Sequence, residues 1–157
     1  MALIACNGGS TSGPPPSSPS PLLGKPAPTF QRASVNGPPI AIASSGGRVT
    51  VVKFMAKYCE PCVRTLPAIE KLHVDHPEIA VVGISEDEHE SAARELVATY
   101  GLTFPVVHDA QQVLAARYRV RDLPVTYVLD GHGNVAWVGG PEKTETELVA
   151  GIDAVKP

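Results

Sequence analysis

Residues 48–56 carry Val49-Thr50-Val51-Val52 and Phe54-Met55, a short and nearly continuous apolar run broken only by Lys53. A half-exposed strand alternates apolar and polar side chains, so a run this unbroken belongs to a strand covered on both faces. Ile79-Ala80-Val81-Val82-Gly83-Ile84 repeats the pattern, and Phe104-Pro105-Val106-Val107 and Val125-Thr126-Tyr127-Val128-Leu129 read as further strands. The last continues through Asp130-Gly131-His132-Gly133-Asn134 into residues 135–138 as a hairpin. Residues 29–35 and 39–43 flank Asn36-Gly37, a dipeptide with ready access to positive φ, and predict another hairpin at the N-terminal side.

Helical periodicity fills the gaps: Val63/Leu66/Ile69/Leu72, Ala93/Leu96/Val97/Tyr100, Val113/Leu114/Tyr118 and Leu148/Val149/Ile152/Val155. Asp87 with Glu90, Asp109 with Gln112 and Thr144 with Glu147 each set an N-cap residue three before an acid or amide. Strands alternating with helices predict an α/β sandwich, and a chain of 157 residues suffices for one such core.

The first 28 residues read differently. GGSTSGPPPSSPSP offers almost nothing to bury and predicts a solvated, disordered Gly/Ser/Pro-rich linker over 1–28, with the folded domain at 29–157. Leu3-Ile4-Ala5-Cys6 resembles the bacterial lipobox, in which Cys6 would be the lipidated first residue of the mature protein. Only five residues precede Cys6, so the expectation is a periplasm-facing lipoprotein of the cell envelope whose signal peptide is truncated. The alternative for Cys6 is a free thiol in a disordered tail.

Composition excludes several classes. A formal charge of −3 with no dense Lys/Arg cluster argues against nucleic acid as a partner. No run of about 18 apolar residues exists to span a bilayer as a helix, which leaves attachment through lipid on Cys6. The five histidines form no second ligand pair and no HExxH, so the expectation is no metal. Gly139-Gly140 lies in no phosphate-loop pattern, and no cofactor is expected. Glu86-Asp87-Glu88-His89-Glu90 reads as the charged start of an exposed helix.

The chemistry lies in Cys59-Glu60-Pro61-Cys62. Disulfide exchange needs an accessible thiolate to attack and a second thiol near enough to resolve the mixed disulfide. At a strand-to-helix junction the Cys59 sulfur faces unpaired N–H groups and the positive end of the helix dipole, which favour the thiolate; Cys59 is therefore the expected nucleophile. Cys62, one turn on, is the expected buried resolving thiol. Pro61 suits the first turn, where a missing N–H costs nothing. Glu60 opposes the dipole, disfavours the thiolate and points to a reductant.

VTVVKFMAKYCEPCVRTLPAIEKL resembles the active-site strand and helix of the thioredoxin superfamily, and most closely the TlpA/ResA-type proteins of the bacterial envelope. Pro67 matches the proline that kinks the family's active-site helix, and Leu123-Pro124-Val125-Thr126-Tyr127 matches the strand whose cis-proline, here Pro124, faces the cysteines. The resemblance implies a three-layer thioredoxin-like sandwich: a central mixed sheet, helices on both faces and an N-terminal β-hairpin. It implies reduction of protein disulfides, with apocytochromes during cytochrome c maturation as one substrate class, an upstream dithiol as electron donor, and a monomer. Tyr58 stands where the family usually has Trp, Thr65 where ResA-like proteins carry glutamate, and Lys53 where thioredoxin keeps a buried aspartate; Lys53 could instead snorkel from the strand.

Two other functions fit parts of the pattern. A peroxiredoxin-like thiol peroxidase shares the fold, but Ala56-Lys57-Tyr58-Cys59 lacks its Pro and Thr ahead of the cysteine. A noncatalytic metal-chaperone module would use C-x-x-x-C and a distant histidine, against the two-residue spacing found here.

Overall fold

The computed structural model describes residues 15–43 and 47–157; Cys6 and the lipobox-like segment lie outside the described residues. In chain order the elements are β1 (Phe30–Arg32), β2 (Ile40–Ile42), β3 (Thr50–Met55), α1 (Glu60–Asp75), β4 (Ala80–Ser85), α2 (Glu90–Tyr100), β5 (Val106–His108), α3 (Val113–Arg117), β6 (Val125–Leu129), β7 (Val135–Gly139) and α4 (Glu145–Asp153). β1 and β2 pair antiparallel as a hairpin, and the other strands form one sheet in the order β5-β4-β3-β6-β7. β3 runs parallel to β4 and antiparallel to β6, so the sheet is mixed.

β3 is central because both its faces must be covered. Val51 and Met55 point into one core with Cys62, Leu66 and Ile69 of α1, Leu96 of α2, and Leu148 and Ile152 of α4. Val52 and Phe54 point into the other, against Phe30 and Ile42 of the hairpin and Leu114 and Tyr118 near α3. The period-two alternation of a strand thus distributes one apolar run between two cores and produces the three layers.

The capping expectations divide. Thr144 and Glu147 form a reciprocal capping box on α4. Asp109 does hold α3, but later than the three-residue spacing implies: its carboxylate accepts the N–H groups of Leu114 and Ala115, and Gln112 occupies the N-cap with φ of 54°. Asp87 does not cap α2; His89 is the N-cap, without a side-chain bond, and Asp87 turns inward. Asn36 makes no positive-φ turn. Its side chain instead donates to Phe104 O at 2.8 Å and accepts from Val106 N at 2.9 Å, tying the hairpin to the edge of β5.

The linker expectation fails over residues 15–28, which lie along β7. Ser18 N–H donates to Val138 O at 2.7 Å, Gly24 N–H to Val135 O at 2.8 Å, Val135 N–H to Lys25 O at 2.9 Å and Ala27 N–H to Gly133 O at 2.9 Å. β7 is the last strand of the sheet, and its outer edge has backbone groups that require partners. A Pro/Ser-rich segment can supply them without apolar side chains, and composition gives no sign of that.

Candidate active site

α1 begins where β3 ends. Ala56 O accepts the Cys59 N–H at 3.1 Å, closing a tight turn, and Cys59 becomes the N-cap of α1. Its Sγ accepts the Cys62 N–H at 3.2 Å, so the sulfur sits on an N–H that no helical carbonyl can satisfy. Pro61 falls in the first turn, and Pro67 lies inside the helix. Cys59 and Cys62 are joined as a disulfide. Cys62 is fully enclosed, whereas Cys59 retains 8% of its surface.

That surface opens on a groove bordered by Tyr58, Glu86, Arg121, Asp122 and Leu123. Tyr58 is 72% exposed and projects beside the cysteine. Leu123–Pro124 is a cis bond, as the resemblance implied. Glu60 stands in solvent, 81% exposed, with Arg64 Nη1 at 4.0 Å, so its charge reaches Cys59 through a high-dielectric surround.

Sequence reasoning missed the residues that hold this geometry. Asp87 is 4% exposed and accepts Lys57 N–H through both carboxylate oxygens and Ser85 Oγ–H at 2.8 Å. It thereby fastens the β3–α1 turn to the end of β4, and the Ser85-x-Asp87 spacing was its only sign. Glu86 lines the groove beside Cys59; burial, and then the charge of Asp109, push its carboxyl above the usual range. Thr65, at the position where ResA-like proteins carry glutamate, donates to Cys62 O at 2.8 Å.

Behind the cis bond lies a second, smaller cavity of about 120 Å³, lined by Lys53, Thr65, Pro124, Thr126 and Trp137 among others. Lys53 does not snorkel. It is 2% exposed, and burial alone lowers its ammonium to about 8. No hydrogen bond or ion pair of Lys53 Nζ is found among the described residues, and Trp137 Nε1, in the same lining, is fully enclosed and unpaired there.

The sequence model of the AhpC/TSA family matches residues 23–138. The chain belongs to that family. It is 31% identical over 134 residues to the thioredoxin-like protein YneN of Bacillus subtilis, covering 83% of this chain and 78% of that one. It is 29% identical over 136 residues to the thiol-disulfide oxidoreductase ResA of Halalkalibacterium halodurans, covering 85% and 77%. Among solved structures, a secreted Mycobacterium tuberculosis disulfide oxidoreductase homologous to E. coli DsbE superposes with a TM-score of 0.71 at 26% identity, covering 80% of this chain and 95% of that one. StoA from Bacillus subtilis superposes at 0.67 with 22% identity, covering 82% and 96%, which supports the fold. The thioredoxin-like reading of the Cys59–Cys62 segment stands: this family member is a thiol-disulfide oxidoreductase.

Proposed function

We propose that this protein reduces protein disulfides on the outer side of the bacterial cytoplasmic membrane, with Cys59 as nucleophile and Cys62 as resolving thiol. The observation that carries the reading is the asymmetry of the pair: Cys59 reaches the groove bordered by Tyr58 and Leu123, while Cys62 is sealed beneath it. In the dithiol form, the Cys59 thiolate attacks one sulfur of a substrate disulfide and expels the other as a thiolate. Cys62 then gives up its proton and attacks Cys59 Sγ, releasing the second substrate thiol. Two electrons have passed to the substrate, leaving the Cys59–Cys62 disulfide for an upstream dithiol to reduce.

Pro61 sets the first turn of α1, Pro124 shapes the edge of the site through the cis bond after Leu123, and Glu60 modulates the thiolate from the surface. Apocytochromes c are one substrate class, supported by the resemblance to ResA-type proteins. Among the described residues no helix is long and apolar enough to cross a membrane. The lipobox-like Leu3-Ile4-Ala5-Cys6 supports attachment through lipid on Cys6 with the domain in the periplasm; Cys6→Ala then moves the protein from the membrane to the soluble envelope fraction.

The deciding experiment uses single cysteine variants. Cys62→Ser accumulates mixed disulfides with a peptide disulfide, and Cys59→Ser accumulates none; the opposite pattern reverses the roles. Hydrogen peroxide turnover equal to disulfide reduction would place the protein with the thiol peroxidases.

A further inference from the structure

The small cavity behind the cis bond has an uncommon lining. Ile69, Trp137 and Leu148 form apolar walls, the largely buried Lys53 lines the cavity, and Arg64 and Lys143 add two cations against the single carboxylate of Glu145. Lys143 is paired with Glu147 at 3.3 Å and Arg64 stands 4.0 Å from Glu60 at the surface, so these two cations have carboxylate partners of their own. A lysine almost wholly removed from solvent with no acceptor beside it is costly, and where it lines a cleft it marks a candidate ligand site.

The cavity also adjoins the site: Pro124 lines it, while the preceding Leu123 borders the Cys59 groove. Because Leu123 and Pro124 are adjacent, a polypeptide lying over Leu123 with its disulfide at Cys59 has the cavity next to it. About 120 Å³ accommodates a carboxylate and its methylenes.

We propose that this cavity is a specificity subsite for a carboxylate side chain of the substrate, a glutamate near the attacked cysteine, with Lys53 holding the carboxylate and the apolar walls taking its methylenes. The inference rests on the disulfide-reductase reading and names the substrate feature that the reductase selects.

Trp137 is the only tryptophan and lines the cavity, which provides a readout independent of redox turnover. The probes are peptides with the target cysteine replaced by serine and one glutamate walked across the neighbouring positions. At one position, glutamate changes the Trp137 fluorescence at concentrations about tenfold lower than glutamine does, as one charge-assisted contact gives. Lys53→Met brings that ratio to about one, and Lys53→Arg, which keeps the charge, restores part of it. The matching disulfide peptides show the same ratio in kcat/KM. Equal responses to glutamate and glutamine at every position, or a ratio that survives Lys53→Met, overturn the proposal. So does an equal fluorescence response to free glutarate, which would make the pocket a site for a small dicarboxylate. If the serine peptides discriminate but no disulfide peptide is reduced, the reductase reading fails and the subsite stands.

Discussion

Asp87 holds the backbone of Lys57, two residues ahead of Cys59, through both carboxylate oxygens, each 3.0 Å from the Lys57 nitrogen. The bond spans 30 residues of sequence and joins the β3–α1 turn to the end of β4. Asp87→Ala leaves that N–H and the Ser85 hydroxyl without their acceptor in a buried place, a loss of about 2 kcal/mol. Asp87→Asn keeps one acceptor oxygen and loses less. Urea unfolding of the three proteins gives the ranking, and disulfide reduction falls with it because the turn positions Cys59. An alanine variant of full stability and full rate would show that the turn is held by other contacts.

Lys53 makes stability rise with pH over an unusual range. Burial lowers its ammonium from 10.5 to about 8. Between those values the unfolded chain binds the proton that the native protein has released, so unfolding becomes harder as pH increases. The penalty is fully present below pH 8 and amounts to about 3 kcal/mol. Above pH 10 the trend reverses. Tyr127, raised to about 12 by burial first and by Glu86, and Tyr118, raised further by burial, stay neutral in the fold while the unfolded chain ionises. Their stabilisation is present below pH 10 and is lost as pH climbs through their folded values. Lys53→Met is therefore expected to be more stable than wild type at pH 7 and to lack the rise between pH 8 and 10, measured by denaturant unfolding across pH. A wild-type profile that is flat from pH 7 to 10 contradicts the depressed ammonium.

Residues 15–28 act as an extra edge for the sheet. A chain beginning at residue 29 removes the partners of Val135 and Val138 and bares the outer side of β7. The expected result is a loss of about 2 kcal/mol or more, from several exposed backbone bonds, together with concentration-dependent association through the open edge. Thermal unfolding and sedimentation of the two forms decide it. Identical stability and mass would make the segment a linker after all.

Thr144 tests the capping box that was legible in advance. Its Oγ1 accepts Glu147 N–H at 3.2 Å, and the Glu147 carboxylate returns to Thr144 N at 2.9 Å. Thr144→Ala should cost about 1 kcal/mol and Thr144→Ser close to nothing. Because α4 lies against β7, equal losses for the two variants would point to packing of the threonine methyl rather than to its cap.

What could be read along the chain was whatever depends on neighbours in sequence. The unbroken apolar run around Val51 and Phe54 required a strand with two covered faces. The Cys59/Cys62 spacing put both sulfurs on the first turn of a helix, and the Thr144/Glu147 spacing closed a cap within one turn. What waited for the tertiary structure was every polar group whose partner is distant in sequence. Asp87 looked like a cap until its acceptor oxygens found Lys57, and Asn36 looked like a turn residue until it bridged to Phe104 and Val106. The Pro/Ser-rich stretch looked solvated until β7 offered it an edge. Lys53 is the clearest case: a lysine in a strand is ordinarily at a surface, and only the packing of α1 and α4 over that face encloses it. Burial and hydrogen bonding are properties of pairs brought together by folding, whereas periodicity and capping belong to the local chain, and the boundary between the two readings follows that division.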